Sequence, residues 1–137
     1  MMKALGVLLG LLLTTGTQAQ SLKEKELIER CGKQAEEAFE KRLKSEVSEE
    51  GHQITWGHEN HYNSRLKKCL FLEAREDVER GVRERKQLKL IDLQDNREVG
   101  VYIFIYRQTI TTDCSVQGKK CTSEEEWRAL TKPFMED

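Results

Sequence analysis

The chain has 137 residues, of which 34% are charged and 37% hydrophobic, with 23 basic against 24 acidic side chains and a formal charge of −1. A balance so near neutral excludes general electrostatic affinity for nucleic acid or anionic membrane, and the length holds one domain of ordinary size. So high a charged fraction leaves a small core, for which covalent staples are worth having.

Met1 to Gln20 opens with one charge, Lys3, and continues into the apolar run Ala4-Leu5-Gly6-Val7-Leu8-Leu9-Gly10-Leu11-Leu12-Leu13. Small and polar residues follow as far as Ala19. A charged start, a short apolar stretch and a small residue at its end describe a secretory signal peptide. The run is well short of the roughly twenty residues that span a bilayer. Cleavage is expected after Ala19, and no cysteine stands there to carry a lipid anchor. Residues 20–137 are then one exported domain with no stable membrane insertion, and loss of Lys3 takes the formal charge to about −2.

From Leu22 the spacing predicts a helix. Leu27, Ile28, Cys31, Ala35, Ala38, Phe39 and Leu43 recur at three- and four-residue steps among Lys, Glu and Arg. Ser21 is a candidate N-cap, with Glu24 completing a capping box. Gly32 weakens the middle by about 1 kcal/mol relative to alanine. Cys31 lies on the apolar stripe, so this helix is expected to pack on whatever its sulfur reaches. A coiled coil over Leu22–Lys44, which would imply a dimer, is the alternative use of the stripe, but the stripe is short and irregular; a monomer is expected.

Ser45 to Gly51 reads as a polar connection. All three histidines then fall within ten positions, His52, His58 and His61, with Glu59 between two of them. Imidazoles plus a carboxylate suit zinc, copper or nickel, and these four residues are the candidate metal set. On a strand, His52 and His58 share one face while His61 takes the other. The bland alternative is a polar strand end. The segment His61 to Leu72 leads from here into Cys69-Leu70-Phe71-Leu72, a run able to bury side chains on both faces of a strand. Cys69 and Phe71 would share one face, and Leu70, Leu72 and Ala74 the other.

Strands are expected near 54–62, 68–75, 86–93 and 98–107, with Glu76 to Arg85 a solvated loop and Gln94-Asp95-Asn96-Arg97 a tight turn. In the last strand Val99, Val101, Ile103 and Ile105 form an aliphatic row suited to a core under helices. Gly100, Tyr102, Phe104 and Tyr106 form the opposite row. Tyrosine buries its ring and keeps its hydroxyl wet, so Tyr102, Phe104 and Tyr106 are the candidate binding residues, either open to a partner or covered by the C-terminal segment. Gln108 to Cys121 reads as a polar loop. Thr122-Ser123-Glu124-Glu125-Glu126 opens a second helix by a capping box, Thr122 with Glu125 or Ser123 with Glu126. Trp127 and Leu130 are expected to dock on the sheet, Pro133 to end the helix, and Phe134 to pack back.

Four cysteines in an exported chain favour two disulfides, with three pairings open. Cys114 and Cys121 are near neighbours around Gly118, which leaves Cys31 with Cys69. Loop entropy assigns roughly 2.5 kcal/mol to the short bridge and roughly 4 to the long one. A zinc site is disfavoured, because no C-x-x-C pair is present.

His61-Tyr62-Asn63 followed by Lys68-Cys69, the strand-turn-strand Leu90-Ile91-Asp92 to Glu98-Val99-Gly100, and Cys121 with Trp127 and Lys132-Pro133-Phe134-Met135 resemble a group of small exported bacterial proteins without assigned function. The resemblance implies a secreted or periplasmic domain and carries over no catalytic residue.

No G-x-S-x-G, H-E-x-x-H or glycine-rich phosphate loop occurs. The expected fold is α+β: an N-terminal helix on a three- to four-stranded antiparallel sheet, a short C-terminal helix and two disulfides. The expected function is non-enzymatic, binding an envelope protein or glycan through Tyr102, Phe104 and Tyr106, with no cofactor. The alternative is a metal-binding protein using His52, His58, Glu59 and His61.

Overall fold

The computed structural model describes residues 15–46 and 50–137; most of the expected signal peptide, Met1–Thr14, lies outside them. The described chain folds as α1 (Thr15–Ser45), β1 (His52–Asn63), β2 (Lys68–Glu79), β3 (Val82–Asp92), β4 (Arg97–Ile105), β5 (Ile110–Val116), β6 (Lys119–Lys120) and α2 (Glu124–Met135). The strands form one antiparallel sheet in the order β1-β2-β3-β4-β5-β6. Each strand pairs with its neighbour in sequence, so the whole sheet is built from hairpins. The expected helix–sheet–helix arrangement is present, with six strands rather than three or four.

The extra length comes from segments whose polarity suggested loops. Glu76 to Arg85 is a hairpin: β2 runs to Glu79, β3 starts at Val82, and Arg80-Gly81 turns between them with φ of 49° and 80°. Two positive φ values make the turn that matches strand twist, and glycine at the second adopts one freely. Gln117-Gly118 repeats this turn, with φ of 48° and 78°, between β5 and β6, where a loop was expected. The charges that hid the first hairpin pair across it, as in Arg83–Glu76 at 2.8 Å. Oppositely charged neighbours let a half-wet strand go without apolar alternation.

Both faces of the sheet are covered at its centre. On one, Cys69 and Phe71 of β2 meet α1. Cys31, Tyr62 and Cys69 form one buried cluster; Ala35, Phe71 and Ile91 form another, with Ala38 and Phe39 packed against it. The Cys31–Cys69 disulfide joins helix to strand across a Cα separation of 5.3 Å. Ile28 and Leu43, on the stripe by spacing, are about half exposed, because the contact line runs through Leu27, Cys31, Ala35 and Ala38 and these two lie on its flank. Ser21 lies inside α1 and caps nothing; the Gln18-Ala19-Gln20 stretch before it favours helix, so the helix does not start there.

On the other face, Leu70, Leu72, Leu88, Leu90, Val99, Tyr102, Cys114 and Val116 surround the fully buried Trp127 of α2. Leu130 and Phe134 pack against this cluster, as expected. Ser123 caps α2 by accepting from Glu126 N, and Glu126 Oε2 accepts in return from Thr122 N at 2.8 Å. Pro133 does not end the helix: it sits inside, and α2 continues to Met135. The ring removes only its own N–H bond to Ala129 O, one turn from the helix end, and the ladder resumes with Glu136 N donating to Lys132 O at 3.0 Å. Cys114–Cys121 closes the β5–β6 end, with Cα atoms 5.0 Å apart.

A register shift between Leu90 and Ile91 pairs Leu90 with Gly100 and Ile91 with Glu98. The extra residue, Val99, therefore leaves the aliphatic row and joins the cluster under α2. Gly100 is confined: a Cβ there would lie 3.1 Å from Ser115 O and 3.1 Å from Val116 Cγ2, with Trp127 Nε1 at 3.4 Å. Gly100→Ala should destabilise by about 1–3 kcal/mol through overpacking, less than Trp127→Ala, which should cost about 3–5. Urea unfolding of the oxidised protein checks both values and their order.

Candidate functional site

The three candidate binding residues do not share one environment. Tyr102 pairs with Leu88 on β3 and Cys114 on β5, and is buried at 5% exposure in the cluster around Trp127. Phe104, opposite Lys86, is half-buried against the margin of that cluster. Tyr106 lies just past β4, outside the cluster and half-buried, and its N–H donates to Glu84 O at 3.0 Å. Phe104 and Tyr106 meet edge to face at 5.2 Å between centroids. The Arg83 guanidinium stands 5.8 Å from the Tyr106 ring centre, within range of a cation–π attraction. Lys86 at this margin is tied to Glu124, the first residue of α2, at 2.7 Å. The inner half of the aromatic row is thus core, and its outer half is a small mixed aromatic and charged surface.

The candidate metal residues are separated by the strand they share. Alternation along β1 puts His52 and His58 on the α1 face and Glu59 and His61 on the α2 face. His58 stacks on Phe39 at 4.1 Å and lies 5.6 Å from Phe71. His61 Nε2 is 3.0 Å from Asp137 Oδ1. Among the described residues no three His, Cys, Asp or Glu side chains gather to hold a metal ion.

Sequence reasoning missed the polar groups that fasten the helices. Asn63, fully buried at the end of β1, donates from Nδ2 to Pro133 O at 3.0 Å and Phe134 O at 3.2 Å, and its Oδ1 accepts from Leu66 N at 2.8 Å. Arg65 also donates to Pro133 O, at 3.1 Å. Helix C-termini leave carbonyls without partners, and one amide here serves both the end of α2 and the β1–β2 turn. Ser64 Oγ donates to Asp137 Oδ2 at 2.6 Å. The Ser64 hydroxyl, then the His61 ring, hold the Asp137 carboxyl below the usual range. The hint in the sequence is an asparagine directly before the Ser64–Lys67 turn, a residue type that favours local backbone bonds.

On the α1 face, Glu73 is 2% exposed and its Oε2 stands 3.0 Å from Arg42 Nε of α1. Trp56 Nε1 donates to Glu46 Oε2 at 2.6 Å, and Arg75 Nε to Asp77 Oδ1 at 2.7 Å. Burial pushes the Glu73 carboxyl above the usual range, against the lowering pull of Arg42, Lys89 and Arg75. The Arg42–Glu73 pair, with Glu46 meeting Trp56 and Arg75 (3.6 Å), anchors the C-terminal end of α1.

No family model, curated protein or solved structure matches this chain.

Two measurements test these anchors. Asn63→Ala strands helix-end carbonyls in a buried site and should cost about 2–3 kcal/mol, whereas Ser64→Ala, at a half-buried hydroxyl, should cost less than about 1; denaturant titration compares them. Glu73 holds its proton more tightly folded than unfolded, so its contribution falls as pH rises from the ordinary carboxylate value through the raised one. The melting temperature of Glu73→Gln relative to wild type should therefore climb between pH 4 and pH 7. A difference that is flat or falls would show that the Arg42 pairing outweighs burial.

Proposed function

We propose that this chain is an exported, non-enzymatic domain that binds a macromolecular partner of the cell envelope, a protein or glycan, through the open end of its aromatic row. The observation that carries this reading is the Phe104–Tyr106 pair, edge to face at 5.2 Å beside Arg83 and Lys86, at the margin of the α2 cluster. Aromatic rings framed by charges suit a polar macromolecular surface: the rings supply area, and the charged groups and the tyrosine hydroxyl supply direction.

Two disulfides support a destination in an oxidising compartment. Both pairs match the bridges expected from cysteine spacing. No helix among the described residues is long and apolar enough to cross a membrane. Export itself rests on the Met1–Ala19 pattern and on the resemblance to small exported bacterial proteins.

Burial of Tyr102 narrows the surface to Phe104 and Tyr106, with Tyr102 as the support beneath. The two tyrosines should then separate. Tyr102→Ala should lower stability by about 3–5 kcal/mol. Tyr106→Ala should leave the melting temperature nearly unchanged and reduce recovery of the partner, from envelope protein extract or purified envelope glycan, at least tenfold. Equal recovery by wild type and Tyr106→Ala would sink the reading.

A further inference from the structure

β1 is the first strand of the sheet order, and among the described residues no strand pairs with its outer edge. Along that edge every second residue turns its N–H and C=O away from β2. Natural edges are usually blunted by lysine, proline, a bulge or short length. The opposite side of this sheet uses such devices: β6 has two residues, both lysine, and the Cys114–Cys121 bridge closes the hairpin beside it. β1 uses none of them. It has twelve residues without Lys, Arg or Pro, and its register with β2 runs unbroken from His52↔Glu79 to Asn63↔Lys68, while the next three strand pairs each carry a shift.

A groove of about 360 Å³ lies beside this edge on the α2 face, with Leu72, Ala129 and Met135 as its apolar lining. Its rim carries both signs. Arg128 is paired with Glu124 at 3.1 Å and Lys132 lies 3.8 Å from Glu136, while Glu59 of β1, also in the lining, has no ion-pair partner among the described residues, so the rim favours a basic residue beside the apolar anchor. Gly57 stands in β1 opposite Ala74 and presents no side chain to this face. Glu59, two residues on and on the same face, is the β1 residue that lines the groove, so Gly57 leaves the edge open just beside it. A glycine inside a strand often marks a close approach by another chain.

From these features we propose that the outer edge of β1 accepts an extended peptide segment of another protein as a seventh strand, with one apolar side chain passing over Gly57 into the groove. Unpaired backbone groups in a row are matched by extended backbone and by little else. The apolar lining selects the anchor residue, and the carboxylate of Glu59 favours a basic residue next to it. This is strand addition, in which main-chain bonds supply affinity and alternate side chains supply specificity. The site is distinct from the Phe104–Tyr106 surface and does not depend on it.

The test uses a phage-displayed library of random nonapeptides panned on the oxidised full-length domain. Enriched sequences are then made as end-capped, fluorescent peptides. A Cβ at position 57 would meet only Ala74 Cβ, at 3.9 Å, an ordinary contact, so Gly57→Val should fold normally while filling the entrance. Ala129→Trp, on the exposed side of α2, fills the groove from the other wall. The expected result is micromolar binding weakened at least tenfold by each variant, with melting temperatures held, and amide shift changes concentrated in His52–Asn63. No enrichment over blank support, or binding indifferent to both variants, overturns the proposal. Shift changes centred on Phe104–Tyr106 also overturn it, by assigning peptide binding to the other surface. Concentration-dependent shifts of β1 without peptide overturn it in favour of a second copy of this chain.

Discussion

The rest of the fold depends on one short strand being buried on both sides. Cys69, Leu70, Phe71 and Leu72 are each under about a tenth exposed, and alternation sends Cys69 and Phe71 to α1 and Leu70 and Leu72 to α2. A strand at the edge of a two-layer protein has one dry face. Here a long helix and a short one cover opposite faces, so β2 is core from both directions. Its two fastenings differ in kind. On the α1 side a disulfide sits amid small clusters of cysteine, alanine and phenylalanine, and on the α2 side a single tryptophan organises the leucines of β2 and β3.

The difference follows from helix composition. α1 is rich in charge and, among its described side chains, offers only Cys31 and Ala35 fully to the interior, too little apolar area to hold a 31-residue helix by burial alone. The bridge and the Arg42–Glu73 pair supplement it. α2 is much shorter but delivers Trp127, Leu130 and Phe134 along one side. Its C-terminal carbonyls are met by Asn63 and Arg65. Because Asn63 closes β1 and Cys69 opens the buried run of β2, the two ends of one hairpin turn hold both helices in register with the sheet.

Much of this was legible in the sequence. Cys69–Leu72 reads as doubly buried because four residues without a charge or polar amide have no wet face, and the cysteine spacing leaves one sensible pairing. Trp127 and Leu130 read as the docking side of a short helix, with Phe134 packing back beyond it, although Pro133 was expected to end the helix before Phe134. The hairpins at Glu76–Arg85 and Gln108–Cys121 were not legible, because their alternation is carried by ion pairs and threonines and their turns by Arg-Gly and Gln-Gly. Of the two rows of β4, the aliphatic one was expected under helices and the aromatic one either open or covered by the C-terminal segment; its inner half is covered. An aliphatic row and an aromatic row are equally dry to a pattern, and only the position of Trp127 decides which lies under a helix. The single-residue shift that moves Val99 across the sheet leaves no mark in composition. The histidines illustrate the opposite limit: closeness in sequence cannot bring side chains together when a strand points them to different faces.

Native-state hydrogen exchange on the oxidised protein tests the doubly buried strand most directly, since it reads the opening free energy of each amide. Amides of Cys69–Leu72 and of their β3 partners Leu90 and Ile91 should exchange only through global unfolding, and so form the slowest set. Those of Ser21–Glu26, where every side chain of α1 is exposed, should exchange through local fraying. If Cys69–Leu72 instead opened in a sub-global step well before β4 and β5, the organising role of β2 would be contradicted.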